Sequence, residues 1–311
     1  MELWDINKSR IPKYPSFKEI ELGDKPIVDA IFRQSKPYCD FAFVNLYIWR
    51  PEKIPSKLSN LNGNLVIKTK NILTSEDEIS FLGISRITET VFTLLSDHKV
   101  LKLIPEIVAK NIRDSDNALN ITEDWDNSDY IMSLTELADL SGYNYSSKRK
   151  DINKLDKTNL EHRVVVDMID DTLKDDIYRL YFKWVEQKKN RNGHLSTETE
   201  FEALKTFLET PELHINFLIA SVYENQNMVS FTLNELCHDQ YVLGSFAKAD
   251  YNYYGASSYS EYITANALKK YNFEYLNHEQ DLGLESLRRY KLSWNPVGYL
   301  RKYIVETKQQ W

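Results

Sequence analysis

The sequence predicts a mixed α/β protein built from two units of similar size. Three observations predict it. The chain has 311 residues, 42% hydrophobic and 27% charged, enough for two ordinary domains with a core apiece. Short β-branched runs alternate along it with stretches whose apolar residues recur at three-and-four spacing, the signature of strands alternating with helices. Three consecutive strand-like runs between 215 and 247 are separated only by short polar turns, which adds an antiparallel part to the sheet. The expected division is 1–150 and 151–311.

In the first half, Asn62-Gly63 is a two-residue hairpin signal between the runs 58–61 and 65–68. Ile87, Val91, Phe92 and Leu95 form a helical stripe, and residues 99–104 a strand. Pro105 suits the first turn of the next helix, because its missing N–H has no partner there anyway. Residues 114–129 hold six acidic side chains and no basic one, which reads as a solvated loop. Residues 130–140 read as a strand and the start of a helix, and 146–157 as a polar, basic connector.

The second half is more regular. Residues 163–168 are a buried strand, and Thr172 is placed to cap a helix carrying Leu173, Ile177, Leu180, Tyr181, Trp184 and Val185 on one stripe. After a turn at 190–193, Phe201, Leu204, Phe207 and Leu208 mark a second helix, closed before Pro211. Strands at 215–223, 228–236 and 240–247 follow as a meander. Gly255, Ala256, Ser257 and Ser258 open a third helix with Tyr262, Ile263, Ala265 and Leu268, then come a strand at 273–277, a helix at 282–290 and a strand at 298–305. This order of strand, helix, helix, three antiparallel strands, helix, strand, helix, strand resembles the GCN5-related N-acetyltransferase (GNAT) fold. That resemblance implies a cleft where the strands flanking the third helix splay apart. The first half is expected to be a degenerate duplicate, giving two tandem GNAT-like domains.

Charge and thiols exclude several classes. With 46 acidic and 39 basic side chains the net charge is −7, so a protein that coats nucleic acid through an overall positive charge is excluded. The 30 residues from 282 to the end nevertheless carry six cations against two acids, and 11 of the 20 tyrosines follow position 240. A tyrosine-rich, locally cationic cleft near the C-terminal end is the expectation. Cys39 and Cys237 lie far apart, no run approaches a membrane span, and the start Met1-Glu2-Leu3-Trp4-Asp5 lacks a signal peptide, so a reduced cytoplasmic protein is expected. His98, His162, His194, His214, His238 and His278 show no paired-ligand spacing, so no metal site is expected. Phosphate-loop, nucleophile-elbow and dinucleotide fingerprints are missing.

The run from Asn277-His278-Glu279-Gln280-Asp281 through Arg288-Arg289-Tyr290-Lys291 to Trp294-Asn295-Pro296 resembles stand-alone bacterial proteins grouped with the C-terminal domain of phosphatidylglycerol lysyltransferase. Residues 43–50, 147–153 and 246–255 fit the same family. The resemblance implies kinship with enzymes that move an aminoacyl group from tRNA to a lipid or peptide amine or hydroxyl. It also implies that Lys291, in its Lys-x-x-aromatic-x-Pro spacing, faces a substrate phosphate.

Each candidate site residue has two readings at this level. Glu279 and Asp281 can take a proton from an attacking amine or hydroxyl while Asn277 orients a carbonyl, or they cap the following helix. Gly255, Ser257 and Ser258 form an anion-binding helix start or a plain glycine turn. At that turn acyl-CoA-dependent GNAT enzymes have Gln or Arg, two residues, Gly, one residue, then Gly or Ala; Asn252, Gly255 and Ser257 match only the middle member. Tyr254 and Tyr259 can protonate a leaving oxygen or simply pack. Arg288, Arg289 and Lys291, with Arg301 and Lys302, bind phosphate or form a solvated face, which Lys148, Arg149 and Lys150 can extend. The expected function is an acyl- or aminoacyl-transferase with Glu279, Asp281, Tyr254 and Lys291 in catalysis, the last stabilising the oxyanion. Its donor is aminoacyl-tRNA or acyl-CoA, its acceptor a small-molecule, lipid or peptide amine or hydroxyl, and no covalently bound cofactor is expected. The alternative is a binding or regulatory protein that kept the fold without the chemistry.

Overall fold

The structure, a computed structural model, describes residues 10–113, 118–155, 160–192 and 197–308. The chain start, residues 114–117 of the acidic run and Gly193 of the expected turn lie outside these. The first repeat runs β1 (Lys18–Glu19), α1 (Lys25–Phe32), α2 (Phe43–Ile48), β2 (Lys57–Leu61), β3 (Asn64–Lys70), β4 (Asp77–Leu82), α3 (Ile87–Asp97), β5 (Val100–Pro105), α4 (Glu106–Arg113) and β6 (Leu119–Glu123). Then come β7 (Asp129–Ser133), α5 (Leu134–Asp139) and α6 (Ser146–Leu155). The second repeat runs β8 (Leu160–Val166), α7 (Asp171–Asn192), α8 (Glu198–Leu208), β9 (Phe217–Glu224), β10 (Asn227–Leu236), β11 (Tyr241–Ala249), α9 (Ala256–Lys269), β12 (Tyr275–Asn277), α10 (Glu285–Leu292) and β13 (Gly298–Leu300), and β14 (Lys302–Thr307) closes the chain. The expected order therefore occurs twice, once from β1 to β6 and once from β8 to β13.

The compact units do not divide at residue 150. Unit 1 is Met1–Asp129, Gln280–Arg288 and Tyr299–Trp311; unit 2 is Tyr130–Glu279 and Arg289–Gly298. The reason is an exchange of strands. In unit 1, β14 from the far end of the chain sits between β5 and β6, antiparallel to both. In unit 2, β7 pairs antiparallel with β12. The strand that follows each repeat, β7 after the first and β14 after the second, thus joins the sheet of the other unit.

Unit 1 has a four-stranded antiparallel sheet, β1-β2-β3-β4, and a three-stranded one, β5-β14-β6. Val66, Phe81, Val91, Leu94, Leu101, Ile104, Val108, Ile112 and Val305 share one buried cluster, the sheet and helix faces that hydrophobic burial selects. Unit 2 has the sheet β7-β12-β11-β10-β9-β8, on which α7 and α9 pack. Its hairpins turn on consecutive residues with positive φ, Asn225-Gln226 and Asp239-Gln240, as Asn62-Gly63 does in unit 1, which matches the strand twist.

Several local expectations change. Residues 146–155 form the helix α6, because Tyr145, Ile152 and Leu155 supply a buried side that the basic residues between them obscure. Helix α7 is capped by Asp170, whose Oδ1 accepts from the Leu173 amide at 2.7 Å, and Thr172 lies inside its first turn. The acidic run contains β6 and buries Asp124 and Asp129, so it is no solvated loop over its described part. Pro105 ends β5, and the last strand breaks at Arg301 into β13 and β14.

Candidate active site

β11 and β12 run parallel over three residue pairs, Tyr241 with Tyr275, Val242 with Leu276 and Leu243 with Asn277. There they part. β11 continues to Ala249 paired with β10, and an irregular register between Leu233 and Asn234 bends that pair. The chain then turns into α9 at Gly255, whose φ is +92°. A Cβ there would lie 2.5 Å from the Asp151 carbonyl oxygen, so the turn requires glycine twice over. The Ala256 amide donates back to the Tyr253 carbonyl, and those of Ser257 and Ser258 have no backbone acceptor among the described residues.

Next to this helix start, unit 2 buries a polar group that sequence reasoning missed. Glu261, one turn past Ser257, is 3% exposed. Its Oε1 lies 3.3 Å from Nε2 of His278 and accepts from the Tyr290 hydroxyl at 3.4 Å. The Tyr290 and Ser257 hydroxyls are 3.0 Å apart. Burial pushes the Glu261 carboxyl up, but the charge and hydrogen bond of His278, with Lys148 and Tyr290, outweigh it and hold it below the usual range. Burial and the Glu261 charge push Tyr290 up, so its phenol keeps its proton. Lys148 Nζ lies 4.1 Å from the Trp294 ring centroid and donates to Ser293 Oγ at 2.9 Å; burial holds its ammonium below the ordinary lysine value. The signals in the sequence were slight: one carboxylate beside an apolar helix stripe and a histidine inside the C-terminal motif.

Around this group stand some of the expected site residues. Asn277 is fully buried and caps the turn, its Oδ1 accepting from the Glu279 amide at 2.7 Å. Glu279 has φ +58° and is half-buried. Lys291 is buried with its Nζ on the His278 carbonyl and 6.0 Å from the Tyr130 ring centroid, so it braces the backbone of the turn. Arg289 is exposed. Tyr254 is 63% exposed and turns to α6, where Lys154 lies 4.3 Å from its ring centroid and the Asp151 carboxylate pushes its phenol up.

Others of the expected site residues, Asp281, Arg288, Arg301 and Lys302, belong to unit 1. Asp281 is fully buried and held by Arg288 at 2.8 and 3.0 Å, while its Oδ1 accepts from the Gly283 amide. Its carboxylate is thus taken up by Arg288 and by the turn that precedes α10. Arg288 also pairs with Asp126 at 2.5 Å, so two carboxylates already occupy its guanidinium. Lys302 is not on a basic surface: it is fully buried, 2.6 Å from Asp129 and bonded to Asp40. Cys39, Asp40 and Asp129 hold ligand atoms within 4.8 Å of one another, as a metal site would, but the cation among them is the Lys302 ammonium.

Residues 87–306 match the family "Phosphatidylglycerol lysyltransferase, C-terminal". The chain belongs to that family. Among solved structures, a conserved protein of unknown function from Bacteroides thetaiotaomicron is similar at 24% identity and a TM-score of 0.78, over 94% of this chain and 99% of that one. The C-terminal domain of a putative lysylphosphatidylglycerol synthetase from Agrobacterium fabrum gives 10% identity and a TM-score of 0.64, over 93% of each chain. The L-PGS structure from Bacillus licheniformis gives 12% and 0.60, over 97% and 95%. These likenesses show a shared fold. No curated protein matches the chain. Phosphatidylglycerol lysyltransferase C-terminal members are acyl- or aminoacyl-transferase-like in family and fold, and among the described residues no helix is long and apolar enough to cross a membrane.

Proposed function

We propose that this protein transfers an acyl or aminoacyl group to an amine or hydroxyl, with the donor carbonyl lying where β11 and β12 part. The observation that carries this reading is the coincidence of three features in unit 2: the strand pair that opens after Leu243 and Asn277, the amides of Ser257 and Ser258 with no backbone acceptor among the described residues, and the buried Glu261 with the half-buried His278 and Tyr290 beside them. An opening between strands admits an extended ester or thioester, amides suit the oxygen that gains charge, and titratable groups can move the proton. The Asn252, Gly255, Ser257 turn departs from the acyl-CoA pattern, which favours aminoacyl-tRNA as donor. The family's lysyltransferase name supports the same choice and makes an anionic lipid the first acceptor to test.

The test uses purified full-length protein with tRNA charged with labelled amino acids, or with labelled acetyl-CoA. Hydroxylamine serves as a general amine acceptor and phosphatidylglycerol vesicles as the lipid one. Label is expected in an acceptor from one donor class, above the protein-free rate. Equal rates with and without protein for every pairing would remove the transferase reading and leave a binding protein of the same fold.

A further inference from the structure

His278 stands at one point of the opening with only half of its imidazole engaged. It is the first residue after β12, and its amide donates to the Tyr130 carbonyl at 2.8 Å while its own carbonyl holds the Lys291 ammonium. The backbone is thus fixed from two sides. Nε2 of the ring faces Glu261, and the ring lies nearly parallel to that of Tyr290, 8° off with centroids 6.4 Å apart. Nδ1 has no protein partner among the described residues, and the His278 side chain is 8% exposed. A carboxylate buried in mid-helix is costly and persists where partners hold it, and two hydrogen-bonding partners of Glu261, His278 and Tyr290, belong to this group.

We propose that His278 is the base that takes the proton from the attacking acceptor through Nδ1, and that Glu261 is its positioning residue. The inference rests on the transferase reading above. The acceptor nitrogen or oxygen attacks the donor carbonyl carbon, forming the new C–N or C–O bond as its proton passes to Nδ1. The imidazolium is stabilised by the ionised Glu261 on Nε2. When the tetrahedral intermediate collapses, the bond from carbon to the leaving oxygen or sulfur breaks, and that atom takes the proton from His278. No electron is gained or lost overall. The charged and titratable groups facing the pair are Tyr290 and Lys291 from α10 and Lys148 from α6.

Two measurements test it together. In long-range nitrogen NMR of labelled full-length protein, neutral His278 is expected to carry its proton on Nε2, and Glu261→Gln to weaken that preference. In the transfer assay, His278→Gln should lower kcat by about 10²- to 10⁴-fold with KM nearly unchanged, and Glu261→Gln by a smaller factor in the same manner. Unfolding midpoints of both variants establish that they fold. A proton on Nδ1, or an unchanged kcat in folded His278→Gln, overturns the assignment while leaving the transferase reading standing. Absence of transfer by wild type with every donor and acceptor overturns both.

Discussion

Lys302 shows what a single buried charge does in unit 1. Burial pushes its ammonium down, yet Asp129 and Asp40 more than reverse this and hold it well above the ordinary lysine value. The same burial pushes Asp40 up against the pull of Lys302. Removing the cation leaves two carboxylates in a dry site, so Lys302→Met should cost about 3–5 kcal/mol of stability. Urea denaturation measures it, and a loss below about 1 kcal/mol would contradict the pairing. Gly255 makes the matching case for backbone. Gly255→Ala carries about 1–2 kcal/mol from the left-handed φ alone and adds a clash with the Asp151 carbonyl. A melting temperature within about 1 °C of wild type would show that the turn is not built this way.

At the scale of elements, α7 offers a cap whose contribution depends on pH. The hydrogen bond from the Leu173 amide, with help from the Arg163 side chain, outweighs the upward push of burial and holds the Asp170 carboxyl below its usual range. Because the folded value lies below the unfolded one, the stabilisation is complete above the unfolded pKa and is lost as pH falls through the folded pKa. Asp170→Ala should therefore cost about 1 kcal/mol at neutral pH, and the two proteins should converge in acid. A gap that stays constant with pH would assign the loss to packing. Helix boundaries of this kind were half legible. The stripe from Leu173 to Val185 announced α7, but Asp170 and Thr172 are both good caps, and only the position of the Leu173 amide chooses between them. Helix α6 was hidden because its polar side carries Lys148, Arg149 and Lys150, and its apolar side is only Ile152 and Leu155, with Tyr145 just ahead of its first turn.

At the scale of the molecule, the exchange of closing strands governs how stability is distributed. β14 supplies Tyr303 and Val305 to the core of unit 1, between β5 and β6. Truncation after residue 298 should therefore deprotect the amides of β5 and β6 in hydrogen exchange, while those shared by β9, β10 and β11 in unit 2 remain slow. Uniform loss of protection would mean that the two units unfold as one. A cut at residue 150 would leave the first fragment holding β7 and the second holding β14, each without the strand that completes its own sheet.

By itself the sequence determined what near neighbours decide: the apolar stripe of each long helix, the hairpin turns, the element order of the second half and the C-terminal motif that marks the family. These follow from periods of two and 3.6 residues and from turn chemistry, which act within a dozen positions. The tertiary structure alone decided which unit receives β7 and β14, why Arg288 and Lys302 are held by carboxylates, and how Glu261 meets His278 across a gap of 17 residues. Those pairings join distant positions, and their physical reason is burial: a charge taken from water must find its partner wherever the fold brings one.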